Sequence, residues 1–284
     1  MKLNEINIRD PFILVDDGKY YMYGTAGWGM KGYFPVYESL DLEDWDGPFT
    51  AFKPTESFWA DRDLWAPEVH KYKGAYYMFA SFFAEGSMRG TQILKADSPL
   101  GPFSPISELP QTPRDWMCLD GTFYLENGIP YMIFCHEWTQ IKDGTVEAVQ
   151  LSEDLSKPIG EPFTLWKASE ASWVAYPPGA EGFVTDGPFV IKSEGKLGLI
   201  WSSFTENEPG TSDYVQAVSF SSNGSIKGEW KISDKLIFKK DGGHGMIFKD
   251  LNGNEKIILH RPNQPGAERP VLIDLCTKDI FENH

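Results

Sequence analysis

Five times along this chain one phrase recurs. A turn residue and an acidic or small residue open an apolar strand, and a tight turn then leads into a second, aromatic-rich strand. The copies begin at Arg9-Asp10-Pro11-Phe12, Trp65-Ala66-Pro67-Glu68, Leu119-Asp120-Gly121-Thr122, Thr185-Asp186-Gly187-Pro188 and Gly243-His244-Gly245-Met246. Aligned on Asp10, Ala66, Asp120, Asp186 and His244, they are spaced by 56, 54, 66 and 58 residues. A unit of this length holding several strands cannot bury its apolar face alone and must stack on its neighbours, which is the signature of a β-propeller. The expected fold is all-β: a five-bladed propeller with four antiparallel strands per blade, occupying residues 1–284 as a single domain. Equivalent positions of the blades then meet around one axis, so Asp10, Asp120, Asp186 and His244 are expected to converge there.

The hairpin chemistry agrees. Asp17-Gly18, Asn127-Gly128 and Asn252-Gly253 each separate two apolar runs, where a tight turn needs positive φ. Segment 5–8 is expected to complete the last blade, because closing the ring removes an exposed sheet edge. The longest irregular stretches are 24–32, 53–64, 168–184 and 206–212, and loops of that length shape pockets more often than they merely connect.

A formal net charge of −15 argues against nucleic acid or an anionic membrane as partner, since both require a basic face. A neutral sugar is indifferent to such a field. The three cysteines, Cys118, Cys135 and Cys276, make a poor disulfide framework and have no metal-site spacing, so they are expected to be small buried apolar residues. The stretch Met1-Lys2-Leu3-Asn4-Glu5 has no secretory apolar region, which leads to the expectation of a cytoplasmic protein.

Three carboxylates gathered at one axis are costly, because like charges held close raise one another's pKa. A single Asp-Gly is ordinary turn chemistry, but three in register point to function. Carboxylates with separated pKa values are what glycoside hydrolysis needs: one protonates the leaving oxygen, another activates water, and a third can hold up the acid's pKa.

These motifs together resemble glycoside hydrolase family 43, five-bladed propellers that hydrolyse arabinofuranosides and xylosides with inversion. The resemblance covers nearly the whole chain, and Ser98-Pro99-Leu100-Gly101-Pro102-Phe103 adds to it. It implies that Asp10 is the general base, Asp120 the pKa-modulating carboxylate and Asp186 the general acid. It also implies that His244 sits where several members bind a metal or its water shell, and that Arg269, in Glu268-Arg269-Pro270, faces the sugar. One departure stands out: the family usually carries Glu at the acid position. Asp is one methylene shorter, so its carboxyl falls roughly 1.3–1.5 Å short on ordinary bond geometry, and a misplacement near 1 Å can cost on the order of 100-fold. Glu137, Glu181 and Glu206 are the alternative proton donors.

No cofactor is required by this chemistry. A structural Ca²⁺ or Na⁺ near His244 fits the preference of hard cations for carbonyl and water oxygen, whereas a catalytic zinc lacks its other ligands. Aromatic side chains, among them Trp28, Tyr33, Phe34, Trp59, Trp65, Trp116, Trp138, Trp173, Trp201 and Phe204, suit either sugar stacking or packing between blades. Trp65 and Trp116, next to inner-strand starts, are the expected sugar platforms, with Arg62 beside Asp61 as a partner for sugar hydroxyls. The reading is an inverting, exo-acting glycosidase on arabinose- or xylose-containing oligosaccharide or polysaccharide side chains. The alternatives are a propeller glycosidase of other specificity, such as a galactosidase or fructosidase, and a non-catalytic carbohydrate-binding propeller.

Overall fold

A computed structural model of the chain describes residues 1–30 and 32–283; Lys31, in the first long loop, and His284 lie outside the described residues. The chain forms five small antiparallel sheets arranged in a ring, a five-bladed β-propeller. Each sheet is a simple meander. The first holds β1 (Arg9–Asp16), β2 (Lys19–Thr25), β3 (Phe34–Ser39) and β4 (Trp45–Phe52). The second holds β5 (Arg62–Tyr72), β6 (Ala75–Phe83), β7 (Gly90–Ala96) and β8 (Ser104–Pro105). The third holds β9 (Cys118–Glu126), β10 (Ile129–His136), β11 (Thr145–Leu151) and β12 (Pro158–Lys167). The fourth holds β13 (Asp186–Ser193), β14 (Lys196–Glu206), β15 (Ser212–Ser221) and β16 (Trp230–Ile232). The fifth holds β17 (Gly243–Lys249), β18 (Glu255–Arg261) and β19 (Arg269–Asp274). The first strand of each blade lies innermost, and these strands pack on one another in succession around the axis. Between blades the core is aliphatic and aromatic, with Phe34, Phe82, Phe134, Trp166 and Trp201 fully buried.

The fifth blade departs from expectation. It has three strands among the described residues, and segment 5–8 is not its fourth. Residues Leu3–Glu5 instead form a 3₁₀ turn, and Asn7 reaches blade 5 through its side chain, donating Nδ2–H to the carbonyls of Gly266 (3.1 Å) and Glu268 (2.8 Å). The other flank of the terminus is tied to blade 1, where Trp45 N–H donates to Met1 O at 2.9 Å. The terminus is therefore latched to blade 5 by side chains and to blade 1 by a single backbone bridge, rather than by a ladder.

Asp17-Gly18 and Asn127-Gly128 form the expected two-residue turns with φ of 47° and 72°, and 52° and 84°. Asn252-Gly253 instead belongs to a longer loop, in which the Asp250 carboxylate accepts the Asn252 and Asn254 N–H groups. Cys118 and Cys135 are buried as free thiols, while Cys276 is exposed, contrary to expectation.

Candidate active site

Every inner strand begins with a bulge. Pairing with the second strand breaks just after Arg9, Trp65, Leu119, Asp186 and Gly243. The next residue in each blade has a left-handed backbone: Asp10 (φ 53°), Ala66 (46°), Asp120 (55°), Gly187 (51°) and His244 (49°). For a non-glycine residue this costs on the order of 1–3 kcal/mol and persists only where the surroundings hold it. Here the second strand of the preceding blade holds it. The N–H groups of Ala66, Asp120 and His244 donate to Thr25 Oγ1 (2.8 Å), Ser81 Oγ (2.8 Å) and Ser202 Oγ (2.7 Å), and that of Asp10 to His260 Nδ1 (3.2 Å). In blade 3 the same slot is filled by Cys135, opposite Leu119, and a thiol is a weak acceptor. The Gly187 N–H turns instead to Asp120 Oδ2 at 3.0 Å.

This pattern corrects the alignment of the fourth repeat. Asp186 corresponds to Arg9, Trp65, Leu119 and Gly243, not to Asp10; the equivalent of Asp10 is Gly187. The prolines record the true register, since Pro11, Pro67 and Pro188 each follow the left-handed residue. The site nonetheless assembles. Asp10, Asp120, Asp186 and His244 all line one cavity of ≈ 270 Å³ at the axis, near the lower end for small-ligand pockets. Gly187 is required there, because a Cβ would lie 2.6 Å from His244 Cδ2.

The three carboxylates are electrostatically unlike. Burial opposes ionisation of Asp10, but His244 (Nδ1 to Oδ1 3.2 Å), Arg9 (Nε to Oδ1 3.2 Å) and a hydrogen bond from Thr25 Oγ1 (2.7 Å to Oδ2) outweigh it, so its pKa lies well below the usual carboxylate range. Asp120 is raised, by burial first and then by the charges of Asp186 and Asp10. Asp186 is raised by burial too, with Asp10 adding to it; the hydroxyl of Tyr214, 3.0 Å from Oδ2, and the charges of His244 and Arg9 pull the other way. His244 is desolvated yet its pKa is raised, because Asp10, Asp120 and Asp186 all face it. His260 is the converse: burial and Arg9 push it down to about 3. As a neutral ring it accepts the Asp10 N–H at Nδ1, which leaves the proton on Nε2 to donate to Asn263 Oδ1 at 3.2 Å. The axis thus presents one firmly anionic carboxylate beside two that favour protonation.

On the side of blades 5 and 1, the cavity is lined by a stack. The Arg9 guanidinium lies over the Trp28 ring at 4.0 Å, and Trp28 Nε1–H donates to buried Glu268 at 2.6 Å. Trp65 lines the cavity as expected, and its Nε1–H donates to Trp28 O at 3.1 Å. Trp28, Trp138 and Phe204 also face the cavity. Trp116 does not; it stacks on His136 at 4.3 Å and 10°. Arg62 lies outside as well, half exposed and paired with Asp61 and Glu85. Arg269 is likewise outside: its guanidinium donates to the carbonyls of Asn4 (3.0 Å) and Glu268 (2.7 Å), so it secures the amino-terminal turn. Glu181 and Glu206 are exposed and off the cavity, whereas Glu137 is buried against it. Sequence reasoning passed over Arg9 as a residue in its own right, and Tyr214 and Asn263 altogether. Arg9 was visible in its motif, but Tyr214 lies on the third strand of its blade, where no motif marks it.

His244 directs Nδ1 to the Asp10 and Asp120 carboxylates, and its Cδ2–Nε2 edge packs on Gly187. Among the described residues no group of three or more His, Cys, Asp or Glu is arranged to hold a metal ion. The ring stands beside the carboxylates as a positive neighbour.

Residues 4–277 match the model of the family "Glycosyl hydrolases family 43". The chain is 27% identical over 173 residues to the extracellular exo-α-(1→5)-L-arabinofuranosidase ArbA of Cellvibrio japonicus, a match covering 54% of this chain and 46% of that one, so it spans about half the length of this relative. Among solved structures it is similar to an endo-arabinase from Bacteroides thetaiotaomicron (39% identity, 97% and 96% of the two chains, TM-score 0.90). It is also similar to an endo-1,4-β-xylanase from the same organism (26% identity, 97% and 91%, TM-score 0.77). The expectation of a cytoplasmic protein is overturned by the C. japonicus relative, which is extracellular; the first residues of a chain carry no record of a leader removed in processing. With the cavity, its carboxylates and these matches agreeing, the chain belongs to glycosyl hydrolase family 43 and is a glycosidase that hydrolyses glycosidic bonds.

Proposed function

We propose that the enzyme is an inverting, exo-acting α-L-arabinofuranosidase that releases arabinose from arabinose-containing oligosaccharides. The observation that carries the mechanism is the opposite displacement of two carboxylate pKa values in one cavity: Asp10 held as the anion, Asp186 raised toward the acid. Asp10 accepts a proton from water as the water oxygen attacks the anomeric carbon. The bond from that carbon to the leaving oxygen breaks, and Asp186 gives its proton to that oxygen. Asp120, whose carboxylate holds the backbone of Gly187 next to Asp186, keeps the acid placed, and burial holds the pKa of that acid up. Arabinose is supported by the arabinofuranosidase and endo-arabinase relatives. Exo action is supported by the exo-acting C. japonicus relative and by the wall that Arg9 and Trp28, bonded to Glu268, form on one flank of the cavity.

The test is a panel of 4-nitrophenyl α-L-arabinofuranoside, β-D-xyloside and β-D-galactoside, followed by NMR of the first anomer formed from the substrate turned over best. Arabinofuranoside preference with an inverted anomer is expected; a retained anomer sinks the mechanism, and preference for another glycoside sinks the substrate. Asp186→Ala is expected to lose far more activity on a disaccharide than on the aryl glycoside, whose leaving group departs without a proton.

A further inference from the structure

In the loop between β18 and β19, one side chain of the cavity lining keeps a donor that the protein does not use. Asn263 stands two residues past β18 and lines the cavity with Asp10, Asp186 and Tyr214. Its Nδ2 has no hydrogen-bond partner among the described residues, and it is not one of the atoms sealed from solvent. Which end of the amide is free follows from a chain of donors that starts at Asp10. A backbone N–H can only donate, so the Asp10 N–H takes the lone pair of His260 Nδ1 at 3.2 Å. His260 is fully buried and its pKa is pushed down to about 3, so the ring is neutral and its one proton sits on Nε2. That Nε2–H donates to Asn263 at 3.2 Å, which requires the amide oxygen there and leaves Nδ2 uncommitted. The backbone of Asn263 is fixed as well, its N–H donating to Asp241 Oδ2 at 3.2 Å. Several other donors of the lining are spent on the protein: the Tyr214 hydroxyl on Asp186, Arg9 Nε on Asp10, and the indoles of Trp28 and Trp65 on Glu268 and Trp28 O.

We infer that Asn263 is a specificity-determining residue, whose Nδ2–H donates to one hydroxyl of the sugar that is attacked; this rests on the reading of the cavity as the site of glycoside cleavage, whichever sugar it takes. A hydroxyl oxygen has the lone pairs that an amide N–H needs. Position gives the contact its use. A single imidazole separates Asn263 from the backbone of Asp10. The hydroxyl is thereby held in register with the residue that carries the base, which sets the anomeric carbon before the attacking water. A site that hydrogen-bonds a substrate hydroxyl also discriminates against a sugar that lacks it.

The test is a cycle between residue and hydroxyl. kcat/KM is measured for the 4-nitrophenyl glycoside turned over best in the panel above and for its analogues deoxygenated at one hydroxyl each, with the wild type, Asn263→Ala and Asn263→Asp. The wild type should lose about tenfold on the analogue without the bonded hydroxyl. Asn263→Ala should lose about tenfold on the parent glycoside and nothing further on that analogue, while its loss on the other analogues stays about tenfold. Asn263→Asp keeps an acceptor for His260 but has no donor, so the same analogue should again stand apart from the others. It carries the comparison if Asn263→Ala does not fold, and its added charge acts on parent and analogues alike and cancels in the ratio. An equal loss on the parent and every analogue would mean that Asn263 only props His260, and overturns the assignment. Full activity of either folded variant on the parent overturns it too. A wild type that turns over no glycoside sinks the cleavage reading instead, and the assignment with it.

Discussion

At the residue scale, neighbouring aspartates of one cavity have opposite effects on stability. Asp10 is the anion that His244 and Arg9 are built around, so Asp10→Asn leaves two buried cations short of a partner. It is expected to destabilise by about 3 kcal/mol or more and to abolish turnover. Asp10 has a depressed folded pKa, so its stabilisation is present above its unfolded value of about 3.9 and is lost only as pH falls through the lower folded value. Asp120 is the reverse. Its folded pKa is raised, so the folded state is penalised once pH climbs above the unfolded value. Asp120→Asn should therefore raise Tm at pH 8, lose that gain near pH 4, and lower activity; thermal unfolding at the two pH values checks both signs. The pH–rate profile should be flat on its acid side, where Asp10 stays ionised, and fall on the alkaline side as Asp186 loses its proton. Tyr214 donates to the Asp186 carboxylate and favours the anion, so Tyr214→Phe should move the alkaline limb of kcat/KM upward by about one pH unit. A limb that stays put would mean that another group sets it.

At the element scale, the unit of construction is the bulge that opens each inner strand, with its left-handed residue bonded by the preceding blade. Blade 4 is the variant in which that residue is glycine. Gly187→Ala would force a methyl into the His244 ring and strain a backbone at φ 51°. It should cost several-fold more stability than Gly195→Ala, whose turn glycine at φ 81° has open space around it and is exposed to strain alone, about 1 kcal/mol. Activity should drop about 100-fold or more in Gly187→Ala, because His244 and Asp120 both shift, and should be unchanged in Gly195→Ala. Equal behaviour of the two variants in unfolding and kinetics would show that the His244 contact carries nothing. Blade 3 is the other variant. Its Cys135 occupies a slot held by hydroxyl or imidazole elsewhere, and Asp120 is drawn onto Gly187 as a result.

At the scale of the whole molecule, the ring is closed by the amino-terminal turn rather than by a borrowed strand. Asn7 and Arg269 make that closure with side-chain donors to backbone carbonyls. Arg269→Ala should lower stability by about 1–2 kcal/mol, some 2–4 °C of Tm for each kcal/mol in a chain of this size class. KM for the aryl glycoside should not change, because Arg269 is outside the cavity lining. A raised KM with normal Tm would restore Arg269 to the sugar.

The repeat, the blade number, the turns at Asp17-Gly18 and Asn127-Gly128 and the identity of the axial carboxylates were legible in the chain, because each is written in local pattern: alternation, Asp-Gly and Asn-Gly pairs, and a recurrence every 54–67 residues. The one-residue offset of Asp186 was legible too, in the prolines, but only once a bulge was known to separate the carboxylate from its register. What the tertiary structure alone decided is whatever depends on contacts between blades. The left-handed backbone of Asp10 depends on His260, 250 positions away, and its ionisation on His244. The wall at Trp28 depends on Glu268 meeting it across 240 positions. Trp116 and Arg62 sit near inner strands in sequence yet point elsewhere, and Arg269 turns from an outer strand to the amino-terminal turn, while Tyr214 and Glu137 arrive from beyond the inner strands of their blades. A side chain's direction at a blade rim follows from how neighbouring blades pack, and no period along a single strand records that.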